Sequence, residues 1–262
     1  MRIVAGRACV AVSLLGLLAV GTLAGEVETL ERKIQAAWDQ HKSFTCRHTM
    51  WSHRVEGEVT MSGEGEGAVA VLRKGATVLY RIDMKTSFTR STEADEITMS
   101  LTANIIIDDE REYLVQDFDG PVRYVIVPIN PRVVPSPMAV FEVLRENSDL
   151  KVLPEETVAD QPAYVVEATR RSVGSDHTTK IIAYFAKDTG VLLKQVNFGI
   201  DGAPIERREY LDHKFNVDLD PQRFVFSPPP DVDVLDFTKK RRAAEPESSP
   251  PGEAKPQPQP AP

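Results

Sequence analysis

Positive charge, cysteine and long apolar runs are all scarce in this chain. Its 262 residues hold 31 Lys plus Arg against 39 Asp plus Glu, a formal charge of -8 with a pI near 5.3. Phosphate neutralisation needs a clustered excess of basic side chains, so nucleic acid is excluded as a partner. Only 2 cysteines occur, Cys9 and Cys46. The longest apolar run, from about Ala8 to Val20, falls short of the roughly 20 residues of a bilayer span. What is present is a hydrophobic fraction of 42%, enough for a sizeable core and too much for wholesale disorder.

The two ends read as segments outside the fold. Arg2 and Arg7 precede the apolar run, and small residues follow at Thr22, Ala24 and Gly25; this is the pattern of a secretory signal peptide, residues 1–24, cut after Ala24. Cys9 sits too early, directly after Arg7 and Ala8, for lipoprotein processing, so no lipid anchor is expected. Arg2 and Arg7 leave with the signal, so 29 basic residues face 39 acidic ones and the mature charge is -10. Cys9 leaves too, and Cys46 then has no partner for a bridge, which puts the weight of the fold on packing. Residues 239–262, KKRRAAEPESSPPGEAKPQPQPAP, lack apolar periodicity and read as a disordered Pro-rich tail. Its Lys239-Lys240-Arg241-Arg242 cluster suits either a solvated linker or contact with an anionic surface.

Residues 25–238 form the expected domain. Val27, Leu30, Ile34, Ala37 and Trp38 recur at helical spacing over 26–41, with acidic residues early and Lys42 after the end. From there the period is 2: Val78, Tyr80, Ile82 and Met84 alternate with Leu79, Arg81, Asp83 and Lys85, and Tyr164 and Val166 with Val165 and Glu167. Turn signals at Gly75, Asp108-Asp109, Asp119-Gly120-Pro121, Asp188-Thr189-Gly190 and Asp201-Gly202 join antiparallel neighbours. The runs predict strands over 43–54, 56–72, 77–86, 97–107, 111–117, 122–128, 151–153, 163–172, 178–187, 191–199, 205–217 and 223–227. A short helix from Ser136 and Pro137 to about Asn147 interrupts them after a Pro-rich crossover.

About 11 strands in one meander are too many to stay flat. The expectation is a mainly β fold with α cover: an open, unclosed antiparallel β-barrel whose two helices lie across its mouth as a lid over an apolar cavity. Lining candidates are Tyr80, Ile82, Met84, Ile105, Ile107, Tyr124, Ile126, Tyr164, Val166, Ile182 and Tyr184, and lid candidates are Leu30, Ile34, Trp38, Met138, Phe141 and Leu144. Each is equally a core residue by type, although the Tyr and Met among them favour an adaptable ligand surface.

Three stretches carry a family resemblance: the helix leading into Lys42-Ser43-Phe44-Thr45, the run Ile105-Ile106-Ile107-Asp108-Asp109-Glu110-Arg111-Glu112-Tyr113, and the closing segment Phe224-Val225-Phe226-Ser227-Pro228-Pro229-Pro230-Asp231-Val232-Asp233-Val234. In order and spacing over 26–237 the chain resembles the LolA-like family of periplasmic lipoprotein carriers. The resemblance implies an open barrel with a helical lid that takes acyl chains of lipoproteins or lipids, receives them from an inner-membrane transporter and passes them to an outer-membrane receptor. It also implies a latch: the family's Arg before a Pro falls here on Lys74 and Gly75, so Lys74 is the latch candidate, with a point charge in place of a planar fork. Asp231 replaces the family's closing Gly.

Enzyme chemistry finds little support. Cys46, His48 and His53 are zinc-ligand types at no standard zinc spacing. Ser175-Asp176-His177 are sequence neighbours that cannot form a relay, and no Gly-x-Ser-x-Gly elbow occurs. Gly63-Glu64-Gly65-Glu66-Gly67 is acidic, lacks a following Gly-Lys-Ser/Thr, and reads as a strand edge or loop. The carboxylate pairs Glu155-Glu156 and Asp108-Asp109 sit in turns. The expectation is a periplasmic, monomeric binding protein without metal or cofactor. The alternative is an envelope-stress sensor of related fold, against which the lack of a second globular domain argues; a hydrolase or metal enzyme ranks third.

Overall fold

The computed structural model describes residues 11–75, 77–107, 111–117, 123–128, 136–174, 177–227 and 234–236, and side chains within these from residue 25 on, except at 111, 116–117, 123–128 and 234–236. The expected turns at 108–109 and 119–121, most of the Pro-rich crossover, Ser175-Asp176, the Pro-Pro-Pro-Asp segment and the tail lie outside the described residues.

Helix α1 (Ala11–Trp38) is followed by β1 (Ser43–Glu56), β2 (Val59–Lys74), β3 (Thr77–Ser91), β4 (Glu96–Ile107), β5 (Arg111–Asp117) and β6 (Arg123–Pro128). Helix α2 (Pro137–Glu146) then leads to β7 (Ser148–Val158), β8 (Gln161–Arg170), β9 (Lys180–Ala186), β10 (Leu192–Phe198), β11 (Pro204–Phe215) and β12 (Val234–Asp236). All 12 strands form one sheet in the order β12-β6-β5-β4-β3-β2-β1-β11-β10-β9-β8-β7. Every described pairing is antiparallel except β12 against β6, a parallel addition at one edge. The mainly β, open-sheet architecture with two helices matches the expected fold class. Among the described residues no helix is long and apolar enough to cross a membrane.

Three local readings need correction. The α1 helix is continuous from Ala11, so the expected start at Glu26 is no helix boundary, and it ends at Trp38 rather than His41 in a tightening turn in which Gln40 and His41 donate to Ala37 and Trp38. Residues 223–227 are not a strand: Pro221–Phe224 is a short 3-10 turn, capped by Asp220, whose side chain accepts from Gln222 N at 2.9 Å. The Gly63–Gly67 run is not an edge or loop but the middle of β2, paired on both sides. By contrast α2 starts as expected, with the Ser136 hydroxyl accepting from Ala139 N at 3.2 Å and Pro137 in the first turn.

Strand registers divide the sheet into two faces. Both helices pack on one of them: Val27, Leu30 and Ile34 of α1 and Phe141 and Leu144 of α2 bury against Val166, Ala168, Ile181, Ala183 and Phe185. Phe141 stacks on Phe185 with centroids 5.2 Å apart, and each such fully buried side chain contributes about 1.5–3 kcal/mol. The β9–β10 turn seats α1. Gly190 there has φ +70, and a Cβ on it would stand 2.2 Å from the Ile34 carbonyl oxygen, so only glycine lets the turn touch the helix backbone.

The glycines of β2 set the sheet's curl. Gly63, Gly65 and Gly67 alternate onto the helix-bearing face, beside Ser52, Met50 and His48 of β1 and Phe88, Thr86 and Met84 of β3. A Cβ at Gly67 would lie 2.1 Å from the Asp83 carbonyl oxygen and 2.9 Å from Met84 Cα. The β3 backbone therefore leans over β2, and the sheet bends toward its helix-bearing face.

Candidate functional site

The bend creates a two-sided surface on the helix-bearing face. On β3 and β4 this face carries Ile82, Met84, Phe88, Ile105, Leu101, Met99 and Ile97 by register. Met50 of β1 and Met61 of β2 lie on the same face, so four methionines share it. Met99 and Ile97 are 49% and 45% exposed, whereas Trp38 of α1 clusters with Val71, Tyr80 and Ile107 at the other end of these strands. Methionine suits such a surface because its unbranched, polarisable side chain adapts to irregular apolar shapes.

The opposite side, on β10 and β11, is polar. Gln195 donates to Asn197 at 3.0 Å, Asn197 donates to Glu206 at 3.2 Å, and Arg208 Nε donates to the other Glu206 oxygen at 2.5 Å. The registers put all four on the helix-bearing face, with Arg208 beside Met50. Burial acts against the Arg208 charge, yet Glu206, Tyr210 and Tyr80 together hold its pKa above the usual value. Its side chain still keeps 45% of its surface accessible, as expected of a group flanked by protein in an open hollow.

Between the two sides stand His48 and Thr86. Each is at least nine-tenths buried, at 5% and 3% exposed, and both His48 ring nitrogens and the Thr86 hydroxyl lack a hydrogen-bond partner. His48 stacks on Tyr210 with centroids 4.8 Å apart. Burial, helped by Arg208, pushes the His48 pKa down to about 4, so the imidazole is neutral. Cys46 is on the same face one pleat away, its thiol pushed up to about 12 by burial. His53 falls on the other face beside Trp51, so the three zinc-type residues do not converge.

The two larger described cavities lie mainly on that other face. One of about 540 Å³ is lined by Trp51, Glu64, Glu66, Lys85 and Arg207 and also touches Met50, Thr86 and Leu101 of the helix-bearing face. One of about 410 Å³ lies near Arg47, Asp83, Asp212, Lys214 and Arg223. Both linings carry several charged side chains among apolar ones, and none of the expected lining residues contributes to them. Of those residues, Tyr80, Ile82, Met84, Ile105, Ile107, Tyr164 and Val166 share the helix-bearing face, whereas Ile182 and Tyr184 sit on the outer one with Val165 and Val196. Tyr124 and Ile126 belong to β6, and their side chains are outside the described residues. Among the lid candidates Leu30, Ile34, Trp38, Phe141 and Leu144 are buried and Met138 is 38% exposed.

Two contacts hold the helices. The buried Glu31 of α1 pairs with Arg145 of α2, whose Nη1 donates at 3.0 Å. Arg73, not Lys74, reaches the end of α1: its Nη1 donates to Asp39 at 2.8 Å and its guanidinium lies 5.0 Å from the Trp38 ring centroid. Lys74 is exposed at the end of β2, paired through its backbone with Thr77, and its side chain makes no hydrogen bond or ion pair among the described residues. The planar fork suits this stacked and paired position better than an ammonium would, and Asp39 immediately after Trp38 was the available signal. Sequence reasoning also missed Arg208, Glu206, Asn197 and Thr86, because a polar residue in an alternating strand reads as solvent-facing.

No family model and no curated protein matches the chain. Solved structures do. Similarity extends to MucB, at 17% identity over 78% of this chain and 63% of that one with a TM-score of 0.44, so the chain spans under two thirds of MucB. An uncharacterised conserved protein from Thermus thermophilus is 14% identical over 78% of this chain and 98% of that one, TM-score 0.46. A LolA superfamily protein from Nitrosomonas europaea is 12% identical over 74% and 97%, TM-score 0.29. At these identities and TM-scores the functional reading has to come from the chain's own residues.

Proposed function

We propose that the protein is exported to the periplasm, loses residues 1–24 and acts there without catalysis as a binder and carrier of acylated ligands, lipoproteins or lipids. The observation that carries this reading is the methionine-lined, partly exposed apolar surface beside a helical cover, on the inner side of a curled sheet. An acyl chain gains about 0.8 kcal/mol per buried methylene, so a face that takes it from a bilayer has to be nearly as apolar as lipid. Methionines and isoleucines of β3 and β4 offer that chemistry, and α1 and α2, tied by Glu31 and Arg145, supply a cover that can shift over it. An inner-membrane transporter and an outer-membrane receptor are the partners such a carrier serves, and the chain works as a monomer.

Mass spectrometry of organic extracts of the mature protein, purified without detergent from an exporting host, tests the reading. Stoichiometric phospholipid, fatty acid or lipopeptide is the expected result. An empty protein that stays empty after exposure to lipid vesicles overturns it.

A further inference from the structure

We propose that the acyl ligand carries an anionic oxygen head, a carboxylate or a phosphate, and that Arg208, His48 and Thr86 hold this head while the methionine side of the same surface holds the chain. The inference rests on the acyl-binding reading and adds the ligand's polar end to it.

The argument starts from unspent hydrogen-bonding capacity. Buried polar groups in folded proteins nearly always have partners, since an orphan loses its hydration without compensation. His48 on β1 and Thr86 on β3 break that rule on one face, separated by the glycine positions of β2, where no side chain intervenes. Arg208 stands next to them on β11. Its Nε is taken by Glu206, and neither Nη atom makes a hydrogen bond among the described residues. What remains free at this place is therefore the Nη donors of Arg208, whose charge Glu206 offsets in part, one imidazole N–H and one hydroxyl.

That set fits an oxyanion. Glu206 is the opposing charge on the same face, and it is already spent on Arg208 Nε and Asn197. Glu112 also faces this region, and burial raises its pKa. Tyr80, Tyr210 and Cys46, the other titratable groups here, are all held toward their neutral forms by burial first. Guanidinium groups are well suited to carboxylate and phosphate because two parallel N–H donors match two oxygens. The polar side of the surface adjoins the apolar side through Met50, the register neighbour of Arg208, so one ligand can touch both.

The test compares probes of equal chain length on the lipid-free mature protein by calorimetry: hexadecanoate, hexadecyl phosphate and hexadecanol, with inorganic phosphate alone as a fourth probe. Hexadecanoate and hexadecyl phosphate should bind about tenfold or more tighter than hexadecanol, the effect of one charge-assisted hydrogen-bonded pair. Arg208→Gln should abolish that preference, and Arg208→Lys should restore part of it. Equal affinity for all three chains in the unaltered protein overturns the head-group assignment and leaves acyl binding standing. No binding of any chain overturns the acyl reading itself. Inorganic phosphate binding as tightly as hexadecyl phosphate shows a site for the free ion and overturns the lipid source. The comparison on the unaltered protein holds even if the variants fail to fold.

Discussion

Substituting Gly67 by alanine tests the origin of the curl. The added Cβ would meet the Asp83 carbonyl oxygen at 2.1 Å and Met84 Cα at 2.9 Å, and contacts of this kind begin near 3.0 Å. The β3 backbone would have to withdraw by about 0.9 Å from the nearer atom. Both obstructing atoms are main chain and sit in the paired register Gly67↔Met84, so no side-chain rotation relieves the clash. Overpacking costs about 1–3 kcal/mol, and a strained ladder hydrogen bond costs about 1 more. Alanine returns up to about 1 kcal/mol by restricting the unfolded chain. The net loss is about 1–3 kcal/mol, which for a domain of this size lowers the melting temperature by roughly 2–12 °C. Gly65→Ala is the control, because its Cβ meets the Thr86 hydroxyl at 2.8 Å and a side chain can turn away. Urea and thermal melts followed by circular dichroism should rank Gly67→Ala as clearly the more damaging. Equal stability of Gly67→Ala and the parent, or the reverse ranking, would refute the close approach of β3 to β2.

Two further outcomes are expected. Arg145→Leu leaves the Glu31 carboxylate buried without its cation; a fully buried orphan costs about 3–5 kcal/mol, and because the Arg145 side chain is 40% exposed, about 1–2 kcal/mol is expected, with faster amide exchange in both helices. Unchanged exchange there would show that apolar packing alone seats them. His48 and His213 both have pKa values pushed down to about 4 by burial, so the unfolded chain takes up protons first as the pH falls below about 6.5. Stability is then complete above that pH and declines toward pH 4, by about 2 kcal/mol per histidine at pH 5. The paired variant His48→Asn with His213→Asn should show a flatter urea midpoint between pH 7 and 5, and an undiminished slope would place the acid sensitivity elsewhere.

The helices and most strands were legible because their signals are local. Ser136 and Pro137 announce α2, and the alternation from Val78 to Met84 announces β3. The Gly63–Gly67 run misled because glycine and glutamate together resemble a loop, while the reason for glycine is a neighbouring backbone that only the folded sheet brings close. Face assignment failed for Ile182 and Tyr184 for a related reason. A strand between two others can bury apolar residues on both faces, here with Lys194 lying 5.4 Å from the Tyr184 ring and Lys180 4.5 Å from the Phe198 ring, so alternation alone does not say which side is inward. The polar side of the candidate site was invisible for the opposite reason: Glu206, Arg208 and Asn197 have the composition of a wetted strand, and the curl turns them inward.

Strand order has a consequence for how the chain assembles. β1 to β6 and β7 to β11 are two sequential meanders, and one seam, β1 against β11, joins them. Within each meander neighbours are close in sequence and can pair early. The seam bonds join distant residues, such as Lys42 N to the Asn216 side chain at 3.0 Å and the Ser43 hydroxyl to the Val217 carbonyl at 2.6 Å, across 174 positions, and they have to wait for the whole second meander. Until then the first meander presents the open edge of β1 next to its methionine-rich face. A chain delayed before Pro204 during its synthesis therefore holds an unpaired strand beside an apolar surface, the combination most prone to join another copy or to require a chaperone.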